Sequence, residues 1–152
     1  MIHIREYRKG DEDRVFQILS QSLKQYDLTT DTSSTDLDIL DINTSYILQG
    51  GTFKVLELDN VCIGTYGLFK ISHSVCELRK MYLVPGYKGQ GYGKLIMEDA
   101  IKTAIDLGFK KIILETNSCL FEAVRMYRRY GFKDFNPEHL SDRCDIGMEL
   151  NI

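Results

Sequence analysis

The stretch Pro85-Gly86-Tyr87-Lys88-Gly89-Gln90-Gly91-Tyr92-Gly93 decides how this 152-residue chain reads. It follows the apolar run Met81-Tyr82-Leu83-Val84 and precedes a helical pattern from Lys94 to Leu107. A strand therefore runs into a glycine-rich turn and then into a helix start. Glycines at 89, 91 and 93 remove the side chains that would keep a ligand away from the backbone N–H groups. The first helical turn adds unpaired N–H donors and the positive end of the helix dipole. Together these features predict a cradle for a phosphate or pyrophosphate.

Spacing separates the known cradles. A P-loop needs Gly-Lys-Ser/Thr after a gap of four residues, with the hydroxyl on magnesium. Here Leu95 follows Lys94, and Tyr92 stands where the lysine should follow the Gly86 to Gly91 gap. A dinucleotide fingerprint starting at Gly89-x-Gly91 would need glycine at position 94, which is Lys. It would also normally open the fold, whereas this turn lies past the middle of the chain.

Composition bounds the rest. A chain of this length can bury a full core, and 43% hydrophobic with 27% charged residues is ordinary for a globular protein. The net charge is −3 and no basic block is present, so nothing asks for nucleic acid. No apolar stretch approaches transmembrane length, and the first five residues lack a signal peptide's apolar core, which predicts a cytoplasmic protein with no membrane partner. Cys62, Cys76, Cys119 and Cys144 have no metal-ligand spacing and read as reduced, buried thiols. The three histidines are scattered, so metal and hydrolase chemistry have no foothold.

Along the chain, Ile2 to Tyr7 alternates as a short strand, and Asp11 caps a helix carrying Val15, Ile18, Leu19 and Leu23 at helical spacing. A polar loop covers Tyr26 to Thr35. Asp36 to Leu48 reads as a second helix, with Leu37, Leu40 and Tyr46 turned inward, broken by Gly50-Gly51. Strands follow at Thr52 to Leu58, Val61 to Phe69 and Val75 to Val84. After the helix that Gly108 ends come the strand Lys111 to Glu115, a helix from Leu120 to Tyr130, and closing strands at Phe132 to Phe135 and Ile146 to Leu150. The order predicts an α/β fold, a central mixed sheet flanked by helices, in one domain spanning residues 1–152.

A second motif lies downstream, in Ala123-Val124-Arg125-Met126-Tyr127-Arg128-Arg129-Tyr130-Gly131-Phe132. With Lys88-Gly89-Gln90-Gly91-Tyr92-Gly93, it resembles the signatures of the GNAT family of N-acetyltransferases, Gln/Arg-x-x-Gly-x-Gly/Ala and Ala-x-x-Leu-Tyr-x-x-x-Gly-Phe. Glu77 to Leu83 resembles the fourth strand of bacterial small-molecule members. Lys88 replaces the usual Gln or Arg, keeping the charge but losing the planar fork, and Met126 replaces Leu. The resemblance covers about Val61 to Leu150; the N-terminal part agrees only in layout.

The resemblance implies acetyl transfer from acetyl-CoA directly to an amine, with no metal. Lys88, Gly89, Gln90, Gly91, Tyr92, Gly93 and Lys94 would hold the pyrophosphate. Backbone N–H groups around Met81 and Leu83 would hold the pantetheine and the thioester oxygen. Many members place Asn three residues before the helix alanine; that position is Leu120, and Asn117 is the nearest substitute. Tyr127 is the candidate acid toward the departing thiolate, a neutral phenol against the alternative of a core aromatic. Glu77 is the candidate base, against the alternative of a strand carboxylate paired with Arg79 or Lys80; alternation puts it on one face with Arg79, Met81 and Leu83. The aspartates from Asp27 to Asp41 read as an acidic rim favouring a cationic amine or, more plainly, as solvated caps. Arg125, Arg128 and Arg129 are a solvated helix face or reach the coenzyme's phosphates.

The acceptor implied is a small-molecule or amino acid-like amine, and a homodimer is allowed. The alternatives are a non-catalytic acyl-CoA-binding module and a peptide or protein N-acetyltransferase.

Overall fold

Seven strands form one continuous sheet in the computed structural model, which describes residues 1–152. In chain order they are β1 (Ile2–Glu6), β2 (Thr52–Leu58), β3 (Val61–Lys70), β4 (Val75–Leu83), β5 (Lys111–Thr116), β6 (Lys133–Phe135) and β7 (Ile146–Asn151). They lie side by side as β1-β2-β3-β4-β5-β7-β6. Every neighbouring pair is antiparallel except β4 and β5. The predicted mixed sheet is present, and so are its helices: α1 (Glu12–Lys24), α2 (Tyr92–Asp106) and α3 (Phe121–Arg129).

Alternation along the strands feeds two cores. Phe53 and Val55 of β2 pack with Val15, Leu19 and Leu23 of α1 on one face. Leu56 packs on the other face with Ile96, Met97, Ala100 and Ala104 of α2 and Tyr127 of α3. Helices thus cover both faces, each burying the apolar stripe its sequence spacing created. No helix is long and apolar enough to cross a membrane.

The parallel pair positions the site. β4 and β5 are in register only through Val75–Lys111, Cys76–Ile112 and Glu77–Ile113. Beyond Glu77 the two strands part, and a notch opens through the sheet. On its other side β4 bulges. Thr65 opposes Tyr82 but Gly67 opposes Arg79, so β4 carries one extra residue there. Lys80 takes φ +55°, the left-handed region that a side chain rarely adopts. Its carbonyl accepts a 2.6 Å hydrogen bond from Thr65 Oγ1, which holds the bulge.

This bulge overturns the simple alternation expected for Glu77. Met81 and Leu83 join the α2 core, whereas Tyr82 joins the α1 core and Arg79 contacts Phe69 there. Glu77 and Arg79 therefore face α1, and the extra residue sends Met81 and Leu83 to the opposite side.

Other local expectations are also corrected. Asp36 to Leu48 is not one helix: a 3-10 turn (Leu37–Asp41) leads into a single π turn (Asn43–Ile47). Ile39, Ile42 and Tyr46 point inward, while Leu37 and Leu40 are exposed, because the tighter turn rotates the buried stripe. Asp11 occupies the N-cap position of α1, but its carboxylate turns to Arg5 and to the Arg8 N–H instead. The four thiols are free, yet only Cys76 is buried; Cys62 and Cys144 are half-buried and Cys119 is exposed. Helix α2 starts at Tyr92, two residues earlier than the pattern suggested, so the glycine turn ends inside the first helical turn.

Candidate active site

Residues 89–94 carry six successive backbone N–H groups with no acceptor in the chain. Gly91 is the N-cap of α2 at φ +86°, and Gly89 sits at φ +78°. The first helical bond runs from Leu95 N–H to the Gly91 carbonyl, which leaves the donors of Tyr92, Gly93 and Lys94 free. A Cβ built at Gly89 or Gly91 meets no protein atom within 4 Å, so the ground above the cradle is open. Such a nest at a helix N-terminus suits a pyrophosphate. The exposed Gln90 side chain bends back to donate to the Gly86 carbonyl at 3.5 Å, the exposed Lys94 lies 3.9 Å from Glu98, and Tyr92 packs on the core edge beside Tyr87.

The cradle opens onto a cavity of about 670 Å³ that passes through the β4/β5 notch. Lys88, Gly89 and Gly93 line it, and so do Glu77, Met81, Leu83, Asn117 and Tyr127. Gln90, Gly91, Tyr92 and Lys94 are not on its wall. Lys88 reaches across the mouth, donating 2.9 Å to the Tyr26 hydroxyl at the end of α1.

Tyr127 stands on the α3 side of the cavity. It is 7% exposed, and its hydroxyl has no hydrogen-bond partner in the chain. Burial pushes the phenol well above its ordinary value, with nearby Tyr82 and Cys144 adding to the rise. The group is therefore a neutral donor across the physiological range. Tyr130 faces away, donating to Glu98.

Glu77 lies on the α1 side at the point where the strands part, and it is 6% exposed. Burial raises its pKa above the usual carboxylate range; the Arg79 guanidinium, 2.6 Å away, opposes that shift, and Glu115 reinforces it. Glu115 accepts from the Ser141 N–H at 2.7 Å and from its hydroxyl at 3.2 Å.

Asn117 lines the cavity, but its amide is engaged elsewhere. Nδ2 donates to the Arg143 carbonyl and Oδ1 accepts from the Cys119 N–H, both at 2.9 Å. The side chain ties the end of β5 to the segment before β7.

Beside the cavity, Asp36, Lys80 and Arg143 form a charge cluster that the sequence alone did not bring together. Asp36, expected as a solvated cap or rim, has 0% exposure. Arg143 grips it through two hydrogen bonds, and Lys80 Nζ lies 2.8 Å from it. These two cations hold its carboxyl at about 2 against the cost of burial. Asp27, Asp31 and Asp41 do remain exposed. Arg128 pairs with Asp134 at 2.7 Å on the surface, away from the cavity.

Comparisons with known proteins agree with this fold. A family model described as the acetyltransferase (GNAT) family matches residues 13–132. The Escherichia coli protein YjgM, an uncharacterized N-acetyltransferase, is 30% identical over 128 residues, covering 81% of this chain and 77% of its own. A Staphylococcus aureus acetyltransferase of the GNAT family superposes with a TM-score of 0.91 at 22% identity over 99% of both chains. The PaiA N-acetyltransferase of Thermoplasma acidophilum, solved with coenzyme A, gives 0.82 at 21% identity over 100% of this chain and 99% of that one. The two structures bear on the fold alone.

Proposed function

Because the chain belongs to the acetyltransferase (GNAT) family, an acetyl-CoA-dependent acyltransferase family, we propose that it acetylates the primary amine of a small molecule or amino acid-like acceptor. One observation carries this reading: the turn with unpaired N–H groups at residues 89–94 meets, at Gly89 and Gly93, the same cavity that the buried phenol of Tyr127 and the buried carboxylate of Glu77 line. An anion cradle, a neutral acid and a base of raised pKa are what a direct transfer from a thioester requires.

The residues divide the work as follows. The cradle binds the pyrophosphate, and the N–H groups of β4 near Met81 and Leu83, which have no β5 partner beyond the notch, orient the thioester. Glu77 takes the first proton from the ammonium, so that the neutral nitrogen can attack the acyl carbon. Tyr127 gives its proton to the sulfur as the carbon–sulfur bond breaks. The second proton of the nitrogen, released on collapse of the adduct, restores the phenol.

Thiol release from acetyl-CoA, followed with free amines and with peptides at equal concentration, tests the proposal. Faster release with the free amines is the expected outcome. Faster release with peptides would reassign the acceptor, and binding of acetyl-CoA with no turnover on any amine would leave a non-catalytic module.

A further inference from the structure

Of the four free thiols, Cys144 alone lines the cavity. It lies two residues ahead of Ile146, which pairs with Thr116 at the end of β5. The thiol therefore stands at the rim of the notch, and the chain around it is fixed on both sides. The Cys144 N–H donates to the Ser141 carbonyl at 2.8 Å, and the Asp145 N–H to the Thr116 carbonyl at 3.0 Å. Arg143 is clamped to Asp36 at 2.6 and 2.8 Å. Asp145 accepts from the Ser118 N–H and hydroxyl, both at 2.7 Å. With each neighbour held, the thiol keeps its place on the wall.

The same cavity holds a polar group that lacks a partner. Tyr127 is 7% exposed and its hydroxyl bonds to nothing in the chain, so a buried donor is left for a ligand. Tyr127 and Cys144 are neighbours: the charge of Cys144 raises the Tyr127 phenol, and it acts on Tyr82 as well. In the transfer described above, Tyr127 gives its proton to the coenzyme's sulfur. That sulfur must then come to rest near a second one. Direct transfer has no use for the second thiol. Burial and Glu115 hold it above its ordinary pKa, against the pull of Ser141, Arg143 and Lys80, so it stays protonated during turnover. A bound disulfide changes the situation. A thiol fixed beside it reacts at a high effective concentration, which offsets the small fraction of thiolate.

We propose that Cys144 is a modification site for coenzyme A: a disulfide of coenzyme A seated in the cradle exchanges with the Cys144 thiol and leaves the coenzyme covalently held across the site. The inference rests on the acetyl-transfer reading, which seats the coenzyme, and adds to it a closed state under redox control. Cys144 loses its proton to solvent, and its thiolate attacks the coenzyme's sulfur. The bond from that sulfur to the other half of the disulfide breaks as the new one forms, and the departing thiolate takes up a proton. One disulfide is consumed and one is made, so the step needs no further oxidant. The departing half leaves by the acceptor end, where Ser34, Leu140 and Asp142 are exposed. The tethered coenzyme fills the cradle, and acetyl transfer stops until a small thiol reverses the exchange.

The probe is the mixed disulfide of coenzyme A with thiopyridine, and dipyridyl disulfide carries the same leaving group without the coenzyme. Peptide mass mapping of the wild-type protein gives the labelling rate at each cysteine. The coenzyme probe is expected to label Cys144 at least about tenfold faster than Cys119, although Cys119 is the exposed thiol; dipyridyl disulfide should label Cys119 first. Dethio-coenzyme A, which has no sulfur to exchange, should protect Cys144 and not Cys119. Labelled wild type should no longer take up dethio-coenzyme A in calorimetry, and dithiothreitol should restore the uptake. Cys144→Ser, checked for folding by thermal unfolding, should still bind it after the same treatment. Labelling of Cys119 ahead of Cys144 by the coenzyme probe, or labelling of Cys144 undiminished by bound dethio-coenzyme A, overturns the proposal. Failure of untreated protein to bind dethio-coenzyme A would instead overturn the acetyl-transfer reading, and the modification with it.

Discussion

Arg143 holds Asp36 through hydrogen bonds of 2.6 and 2.8 Å across 107 residues of sequence, and the carboxylate it holds is wholly buried. The pair pins the segment before β7 to the segment leading into the 3-10 turn, and a further bond from Arg143 to the Thr29 carbonyl widens the seam. Without Arg143 the buried carboxylate keeps only Lys80, 2.8 Å away, so the cost falls at the lower end of the about 3–5 kcal/mol of a broken buried pair. Arg143→Ala should therefore lower the melting temperature by roughly 10 °C. Arg143→Lys, which keeps the charge but loses the fork, should fall between the two in the same thermal scan.

Tyr127→Phe separates catalysis from packing. The ring is buried against Phe132, while the hydroxyl bonds to nothing in the chain, so the melting temperature should hardly move. Steady-state thiol release should fall about 10²–10⁴-fold in kcat if the phenol is the acid. Because burial raises this phenol, wild type should keep its acid form up to at least about pH 10.

Glu77 sets the opposite limb of the pH profile. Its pKa is raised in the fold, and a base works only when ionised, so kcat/KM should climb with pH through a value above the ordinary carboxylate range. Arg79 holds that pKa down, so Arg79→Gln should move the rising limb to higher pH. A profile of kcat/KM against pH for the two proteins checks the direction of the shift.

Gly91→Val should separate binding from folding at the cradle. A β-branched residue is strained at φ +86°, by roughly 1–2 kcal/mol or somewhat more, although no protein atom obstructs it. The added side chain would stand where the pyrophosphate approaches the free N–H groups. Calorimetric titration should show acetyl-CoA affinity weakened at least tenfold, with the melting temperature lowered by only several degrees.

The cradle, the strands and the two helices after it were legible in the sequence because each is written locally, in glycine spacing and in periods of 2 and 3.6 residues. Tyr127 was singled out by its place in a motif, and the structure puts it on the cavity wall. What escaped depends on distant partners. The bulge at Lys80 needs the Thr65 hydroxyl, and it alone moves Met81 and Leu83 to the far face. Asp36 looked like any loop aspartate until Arg143 and Lys80 were brought to it. Asp36 to Leu48 misled because its apolar residues fit an α-helix, whereas the segment coils first more tightly and then more loosely than one.

A crystal structure of the protein with coenzyme A bound measures the central claim most directly. The account predicts pyrophosphate oxygens within hydrogen-bond distance of the N–H groups of residues 89–94 and the thiol beside the Tyr127 hydroxyl, with Glu77 across the same cavity. Coenzyme A bound away from that turn, or a thiol remote from Tyr127 and Glu77, would contradict it.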